Sequence, residues 1–593
     1  MSVFSGWLRG LSLPGLFLLT GAFLIHECQP LLAESPGASL PVAVAVDKAP
    51  IAPCQASVLG SPYIPLDSWM YVSLTRLYSL GYLDTAFLGL RPWTRLSVIH
   101  MLEETAADLE DAPDDATTHE AQELYDSLWH ELNSDAEGPC SSRRGQVRVE
   151  STYTVMRGIT GTPLHDSYHI GQTITNDYGR PYESGFNNYT GISGYATAGI
   201  FTLYAREEFQ YAPSGDGYSQ ALFDSLSQRD NIPFATNPRQ DTIPLGPIDS
   251  TVNARLVEGY LSAHVIGHEI SFGKSDQWWG PSKGGAYAYS NNAENIYSFQ
   301  INRIEPLRIP WLSRLTGPFR YDFLVGSLKG HTYYNEPWVH AEKISFKPTS
   351  DLEFGFERTV IWGGQDHVPI TIHSFLRSFF SLQNVSAEEK KSRNDPGARF
   401  GAFDMNYRLP YLRNWLTFFV DSEAHDDVSP ISAPRRAVFR TGLYLSHVPG
   451  IPKLDIRGEA AMDDQSTSRS IQGMFTYYEG EQPQGYTNAG QIFGDWMGRE
   501  AKGGQAWATW HLSGKEWIQV GWRGQKAAKD FIVGGTTIND VSAQVVKRFG
   551  PDLELNANFA YEGYLAPVYL PGKQNVTTTT IQLTWFPTRK VSF

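Results

Sequence analysis

The chain is poor in cysteine, with three among 593 residues. That excludes a disulfide-dense scaffold. It is also poor in base: 48 Lys and Arg stand against 63 Asp and Glu, a formal net charge of −15. Nucleic-acid binding, which needs a basic footprint, is excluded as a main role. Mean hydropathy is −0.31, so a protein built from many membrane-spanning helices is excluded as well. A membrane barrel is not, because its strands alternate and hide their apolar face from an averaging scale. No Gly-x-Ser-x-Gly elbow and no phosphate-cradling glycine loop occurs.

Aromatics, by contrast, make up 13% of the chain, with 30 Tyr and 31 Phe beside 54 Gly. This mixture favours strands and turns. The length calls for several domains or one very large sheet.

In chain order, Arg9 precedes an apolar run, Leu11–Ile25. It is too short to span a bilayer comfortably and suits a signal-peptide core, with residues 1–33 as the exported segment's leader. Proline-rich sequence in 34–60 reads as a linker. Three helix patterns follow within 61–140, which we read as a small helical domain. Leu66, Met70, Leu74 and Leu77 form the first, with Asp67 as cap and Gly81 as stop. Val98, Leu102 and Leu109 follow Pro92 and Thr94. Thr117 and Glu120 make a capping box ahead of Ala121, Leu124, Leu128 and Leu132.

From Gln146 the period changes from 3.6 to 2. Leu553–Tyr561, Phe319–Val325, Leu352–Phe356 and Leu454–Ala460 each put apolar residues on one face and polar or charged ones on the other. Segments of about ten residues with this pattern indicate a membrane barrel, whereas sandwich strands run nearer five or six. The expected fold is mainly β: a large antiparallel transmembrane barrel of about 18 strands over 145–593, behind the helical domain. The final strand is expected at Thr577–Phe586, and the terminal Phe593 resembles the assembly signal of outer-membrane barrels. Insertions at 213–250, 363–396 and 481–502 are too long for plain turns and are expected to fold over or into the barrel, with a short helix in Pro369–Ser381.

His264, His268 and Glu269 lack the His-Glu-x-x-His order, and two histidines four apart on a strand stand about 13 Å apart, so no metal or other cofactor is expected. The acidic pairs Asp426-Asp427 and Asp463-Asp464 read as solvated loops. Arg303, Arg308, Arg314, Arg320 and Lys329 form a basic stretch that suits an anionic polysaccharide or balances lumen charge. Asn176–Arg180 is a polar-aromatic loop, or simply a hairpin turn.

The least ordinary stretch is Ile270–Asn292, ISFGKSDQWWGPSKGGAYAYSNN. It reads as a strand ending at Gly273, a tight loop, and a second strand at Ala286–Ser290. Trp278 and Trp279 beside Lys274, Asp276, Gln277, Asn291 and Asn292 suit a sugar, whose C–H faces stack on indoles while polar groups bond its hydroxyls. An interfacial aromatic girdle is the other reading of the pair.

The GKSDQWWGP run followed by SNNA (Ser290–Ala293) resembles the capsule-assembly Wzi family of bacterial outer-membrane proteins, and the similarity runs from about Ser61 to Phe593. The resemblance implies a periplasmic helical domain, a large barrel in the outer membrane, and a non-enzymatic, lectin-like role in attaching capsular or extracellular polysaccharide. Lys274, Asp276, Gln277, Trp278, Trp279, Asn291, Asn292, Arg303 and Arg320 are the expected sugar-binding residues. Outer-membrane lipid is the expected surround. Trp69, Leu77, Gly81, Arg91-Pro92 and Thr94-Arg95 also resemble an S-layer-homology-type repeat, which would let the helical domain meet peptidoglycan or the export machinery; bundle packing explains the same spacing. The rivals are a porin-like channel with a cell-wall-binding domain and a barrel-embedded glycan-modifying enzyme.

Cleavage of the leader removes Cys28 and leaves Cys54 and Cys140 flanking the three helices. An even pair in an exported protein is expected to be bridged, closing a loop of about 87 residues worth roughly 4 kcal/mol. Mass spectrometry of the unreduced mature protein should find that bridge; two alkylatable thiols would reject it.

Overall fold

The computed structural model describes residues 59–136, 145–232, 240–383, 385–425, 437–463, 476–587 and 590–592. The leader, the linker up to Val58, Cys54, Cys140, Asp426-Asp427, Asp464 and Phe593 lie outside them.

Alternation decides where each strand's faces go. In Phe201–Ala212, Thr202, Tyr204, Arg206, Glu208 and Gln210 are buried, while Phe201, Leu203, Phe209 and Tyr211 are exposed. A soluble protein would hide the second set. Here the charges point into a lumen and the apolar set faces outward, the arrangement a bilayer requires. The same division holds on strand after strand.

Eighteen strands make the ring, all pairs antiparallel. They are β1 Gly145–Thr160, β2 Gly185–Ala198, β3 Phe201–Ala212, β4 Thr251–Val265, β5 His268–Lys274, β6 Tyr297–Arg303, β7 Phe319–Ser327, β8 Trp338–Thr349 and β9 Leu352–Trp362. The second half comprises β10 Ala398–Arg408, β11 Leu416–His425, β12 Val438–Leu445, β13 Leu454–Met462, β14 Ala501–Ser513, β15 Glu516–Ala527, β16 Thr536–Phe549, β17 Leu553–Leu565 and β18 Lys573–Trp585. Closure is made by β1 on β18, in register from Thr152↔Trp585 to Thr160↔Thr577. Lys590–Ser592 continues the same pairing along β1. Ala286–Ser290, expected as a strand, is not one: it is buried inside the ring, and its Tyr289 carbonyl accepts from Trp279 N at 2.9 Å. The alternation there reflects packing on two sides of a loop rather than a pleat.

The two ends of the barrel differ. At one end neighbouring strands are joined mostly by tight turns, such as 199–200, 350–351 and 514–515; at the other end the connections run to tens of residues. In barrels of this kind the short turns are periplasmic and the long loops extracellular.

The helical region packs onto the short-turn end. Its helices are α1 Trp69–Ser79, α2 Arg95–Glu110 and α3 Ala116–Ala136. Leu74, Leu77, Val98, Leu102, Leu124, Leu128 and Leu132 share one core with Trp517 and Val546 of the barrel. Two caps differ from expectation. Ser68 caps α1, accepting from Met70 N at 3.3 Å, because Asp67 is engaged by Arg206 at 2.6 and 3.0 Å. Asp115, not Thr117, caps α3, accepting from Thr117 N and Thr118 N at 2.8 Å each, and Glu120 instead pairs with the buried Arg76 at 3.1 Å. In both cases a buried arginine outcompetes a local cap. Between α1 and α2 the chain rises into the lumen, where Glu353 accepts from Leu88 N and Gly89 N at 2.8 and 3.0 Å.

The division of faces gives a direct test. Phe559 lies outward on β17 between inward Asn558 and Ala560. Phe559→Arg should destabilise the barrel by about 2–4 kcal/mol if that position meets hydrocarbon near the midplane. Unfolding in lipid vesicles measures it, and an unchanged midpoint would reject the assignment.

Candidate functional site

The long loops fill the lumen. Residues 161–184, 275–296 and 476–500 meet there, and Tyr168, Trp279, Tyr287, Tyr289, Tyr477, Tyr486, Ile492 and Phe493 form one aromatic core with inward residues of the wall such as Val339 and Phe400. The Gly284-Gly285 break is explained by this crowding: a side chain on Gly284 would collide with the Gln505 carboxamide.

The two loops singled out by sequence come together. Tyr178 N and Gly179 N donate to Asn291 O and Asn292 O at 2.7 and 3.1 Å, and Asn176 N donates to Asn292 Oδ1 at 3.1 Å. Asp276 accepts from Tyr178 OH at 2.9 Å, Asn295 Nδ2 at 2.8 Å and Leu66 N at 2.9 Å. Burial and the charge on Asp67 nevertheless raise its pKa above the usual carboxylate value. Lys274 donates to Glu294 at 2.6 Å and Leu256 O at 2.7 Å. Gln277 holds the Trp279 indole N–H at 3.1 Å. Trp279 is fully buried. Neither tryptophan faces lipid, so the girdle reading of the pair is overturned.

Arg303 and Arg320 are not brought to this loop. Arg303 sits at the short-turn end, donating to Glu305 O at 2.6 Å and to Ile266 O. Arg320 is buried and donates to Arg303 O at 2.9 Å, Leu90 O at 3.2 Å and Asn302 Oδ1 at 3.1 Å. Lys329 lies at the opposite end, 3.5 Å from Glu294, so the basic stretch does not form one patch.

His264 meets Glu269 across the β4–β5 pair at 3.5 Å, while His268 turns away to Tyr321. Among the described residues no cluster could hold a metal ion. Asp463, expected in a solvated loop, is fully buried and accepts from Tyr287 OH; burial and nearby Asp495 hold it well above the usual carboxylate range.

What the packing leaves open is a cavity of about 300 Å³ between the rising N-terminal segment, the loop and the wall. Trp69, Trp278, Trp507 and Trp517 line it, with Asn291, Arg91, Lys283, Asp455 and Arg457. The Trp278 indole donates to Ser282 O at 3.1 Å and lies under the Arg91 guanidinium, 5.4 Å from the ring. Lys283 stands 5.0 Å from the Trp507 ring, and burial draws its ammonium down to about 8. Trp507 also borders a second cavity, about 270 Å³, lined by Arg157, Asp177, Trp522, Arg523 and Asn558. Of the expected residues, Trp278 and Asn291 reach this space. Trp507 and Trp517 were not anticipated, because each lies on an otherwise ordinary strand, and Trp69 and Arg91 stood out only in the S-layer-homology-type spacing; only the closed ring sets the four face to face.

The loops are tied at the long-loop end by a buried charge relay. His169 holds Asp166 Oδ1 at 3.0 Å and Asp230 Oδ2 at 2.7 Å, and Arg499 holds Asp230 Oδ1 at 3.0 Å. Donating through both nitrogens makes this ring an imidazolium.

A closed eighteen-stranded antiparallel barrel with a filled, polar lumen and an apolar outer face is an outer-membrane protein. Within that class, the family model described as capsule assembly protein Wzi matches residues 155–579, and the chain belongs to that family. It is similar in fold to Wzi of Escherichia coli, described as an outer-membrane, carbohydrate-binding barrel involved in group 1 capsule assembly. That likeness has a TM-score of 0.61 at 14% identity, covering 88% of this chain and 99% of that one. An uncharacterized 55.8 kDa protein in the cps region of Klebsiella pneumoniae is 26% identical over 161 residues; the match spans 27% of this chain and 31% of that relative's length.

The relay predicts a pH dependence. Burial opposes charge on His169, but Asp166 and Asp230 raise it to about 9. Its contribution to stability is therefore complete below about 6.5, the unfolded value, and is lost as pH rises through about 9. On the order of 3 kcal/mol is involved. Melting of the detergent-solubilised protein should fall across that window, and His169→Gln should flatten the fall. Equal pH dependence in both proteins would rule the relay out as its source.

Proposed function

We propose that this protein is a non-enzymatic, lectin-like member of its family that holds capsular or extracellular polysaccharide at the cell surface, with its helical domain in the periplasm. The observation that carries the reading is the cavity of four tryptophans interleaved with amides, arginines and carboxylates. Indole faces cover the C–H surfaces of sugar rings, and the polar groups exchange hydrogen bonds with hydroxyls or acidic substituents. Trp278 and Asn291 are the expected contacts from the Lys274–Pro281 loop region; Lys274, Asp276, Gln277, Trp279 and Asn292 serve by holding that loop in place. Arg303 and Arg320 stand apart from that loop, on carbonyls of the wall, its short turns and Leu90, and take no part in the proposed site.

The position of the helices at the short-turn end supports a periplasmic role, in which α1–α3 face peptidoglycan or the export machinery. A filled lumen supports holding over diffusion, and the protein should be nearly silent in planar bilayers.

Trp278 and Trp279 should separate in experiment. Trp278→Ala, which borders the cavity, should weaken binding of purified capsular polysaccharide several-fold to tenfold, the scale of about 0.5–1.5 kcal/mol for a lost stacking contact, with a smaller fall in melting than Trp279→Ala gives. Trp279→Ala should lower melting, because it empties a packed site. Unchanged affinity in folded Trp278→Ala would refute the cavity as the sugar site.

A further inference from the structure

The outward faces of β8 and β9 change character halfway along. Toward the periplasm they carry Ile344, Phe346, Phe354 and Phe356, as a lipid-facing surface should. Toward the extracellular end the same face carries His340, Glu342 and Arg358, and β10 adds Arg399. Bare arginine and glutamate on that side of a barrel would be destabilising in lipid. They are not bare. The loop between β9 and β10 folds down outside the wall and lays a helix, α4 (Ile372–Phe380), across them.

The helix is seated by specific contacts. Phe375 and Phe379 meet outward Phe323 of β7 edge-on at 6.3 and 6.1 Å, and Phe375 packs on Trp362 at 5.8 Å. His340 bonds Ser378 Oγ at 2.9 Å. Arg358 donates to Ser378 O, Phe379 O and Ser381 O at 2.9, 2.6 and 2.9 Å, satisfying the carbonyls that a helix C-terminus leaves open. Arg399 donates to Gln383 O at 2.7 Å. Thr371 and Ser374 close the other end with a capping box.

The resulting helix is inside out by the standards of a water-soluble protein. Ser374 and Ser378 are buried against the wall, while Ile372, Leu376 and Phe380, one stripe at a spacing of four, are 70%, 45% and 69% exposed. Leu382 extends the stripe at 68%. His373 and Arg377 lie on a third side, a quarter turn away. Polar inward, apolar outward and a basic flank is the disposition of a helix lying in a membrane interface.

We propose that α4 is a membrane-contacting element: it rests in the acyl-chain layer of the outer leaflet, replaces lipid over the polar half of the β8–β10 wall, and presents Ile372, Leu376, Phe380 and Leu382 to hydrocarbon. The wall beneath is then free to carry charges that no lipid-facing strand could.

The test places a nitroxide on full-length protein in phospholipid vesicles, at Leu376→Cys and at His373→Cys, with the unsubstituted chain as background for native thiols. Collision with oxygen, which partitions into lipid, is compared with collision with a neutral nickel chelate, which stays in water. The label at 376 should favour oxygen several-fold more than the label at 373. Phe380→Cys, on the same stripe, should repeat the result, so that a local disturbance at one position is recognised. Preference for the nickel chelate at both 376 and 380 would overturn the proposal and place the helix in water. Exclusion of both reagents together with spin–spin broadening would overturn it in favour of a second copy of the chain on this face.

Discussion

Hydrocarbon offers no hydrogen bonds, so a sheet can cross a membrane only if its last strand finds its first. The β1–β18 pairing meets that demand, in register over Thr152–Thr160 and resumed at Gln146–Arg148. Every other feature depends on that closure. It divides each strand into a lipid side and a lumen side, fixes which loops share a mouth, and creates an enclosed volume whose charges must be answered from within.

How they are answered explains the density of buried ion pairs. Arg440 holds Asp495 at 2.7 Å through one nitrogen and Glu459 at 3.0 Å through another, all three fully enclosed. Arg180 and Arg206 converge on Glu208 in the same way. Such pairs add little or nothing to stability against an apolar alternative, but removing one partner is expensive. Their value here is positional: each joins a loop to a wall, so the filling of the lumen is held in one arrangement. Arg440 ties β12 to the 476–500 loop, and Arg499 ties that loop to Asp230 beyond β3.

Much of the barrel was legible in the sequence because one face of every strand is bathed in lipid. Phe319–Val325 and Leu553–Tyr561 alternate cleanly for that reason, and the three helices showed equally well because Leu74, Leu102 and Leu128 share one core. Legibility failed where a residue answers to something distant in sequence. Asp67 and Glu120 looked like caps and turned out to serve Arg206 and Arg76. Ala286–Ser290 alternated without being a strand. For the candidate site, the unusual loop at Lys274–Asn292 was visible from its composition and does meet Asn176–Arg180. Trp507 and Trp517, which face it across the cavity, carried no local signal at all. Nor did the outward His340, Glu342 and Arg358, whose cover comes from a loop helix that packs on them only in the folded barrel.

The N-terminal segment and the WW loop enter the lumen from opposite mouths and meet in the middle. Arg91 and Trp278 exchange backbone hydrogen bonds at 3.1 Å in each direction, a two-residue bridge between pieces of chain that are nearly two hundred residues apart. Arg91 adds side-chain bonds to Gly280 O and Ser282 O at 2.9 and 3.2 Å. Neither piece can complete its hydrogen bonding alone. The helices are thus no appendage tethered beneath a finished cylinder: they supply one half of a stopper whose other half hangs from above. Losing either half would leave backbone groups of Arg91 or Trp278 unpaired in the middle of the lumen, so the stopper stands or falls as one unit.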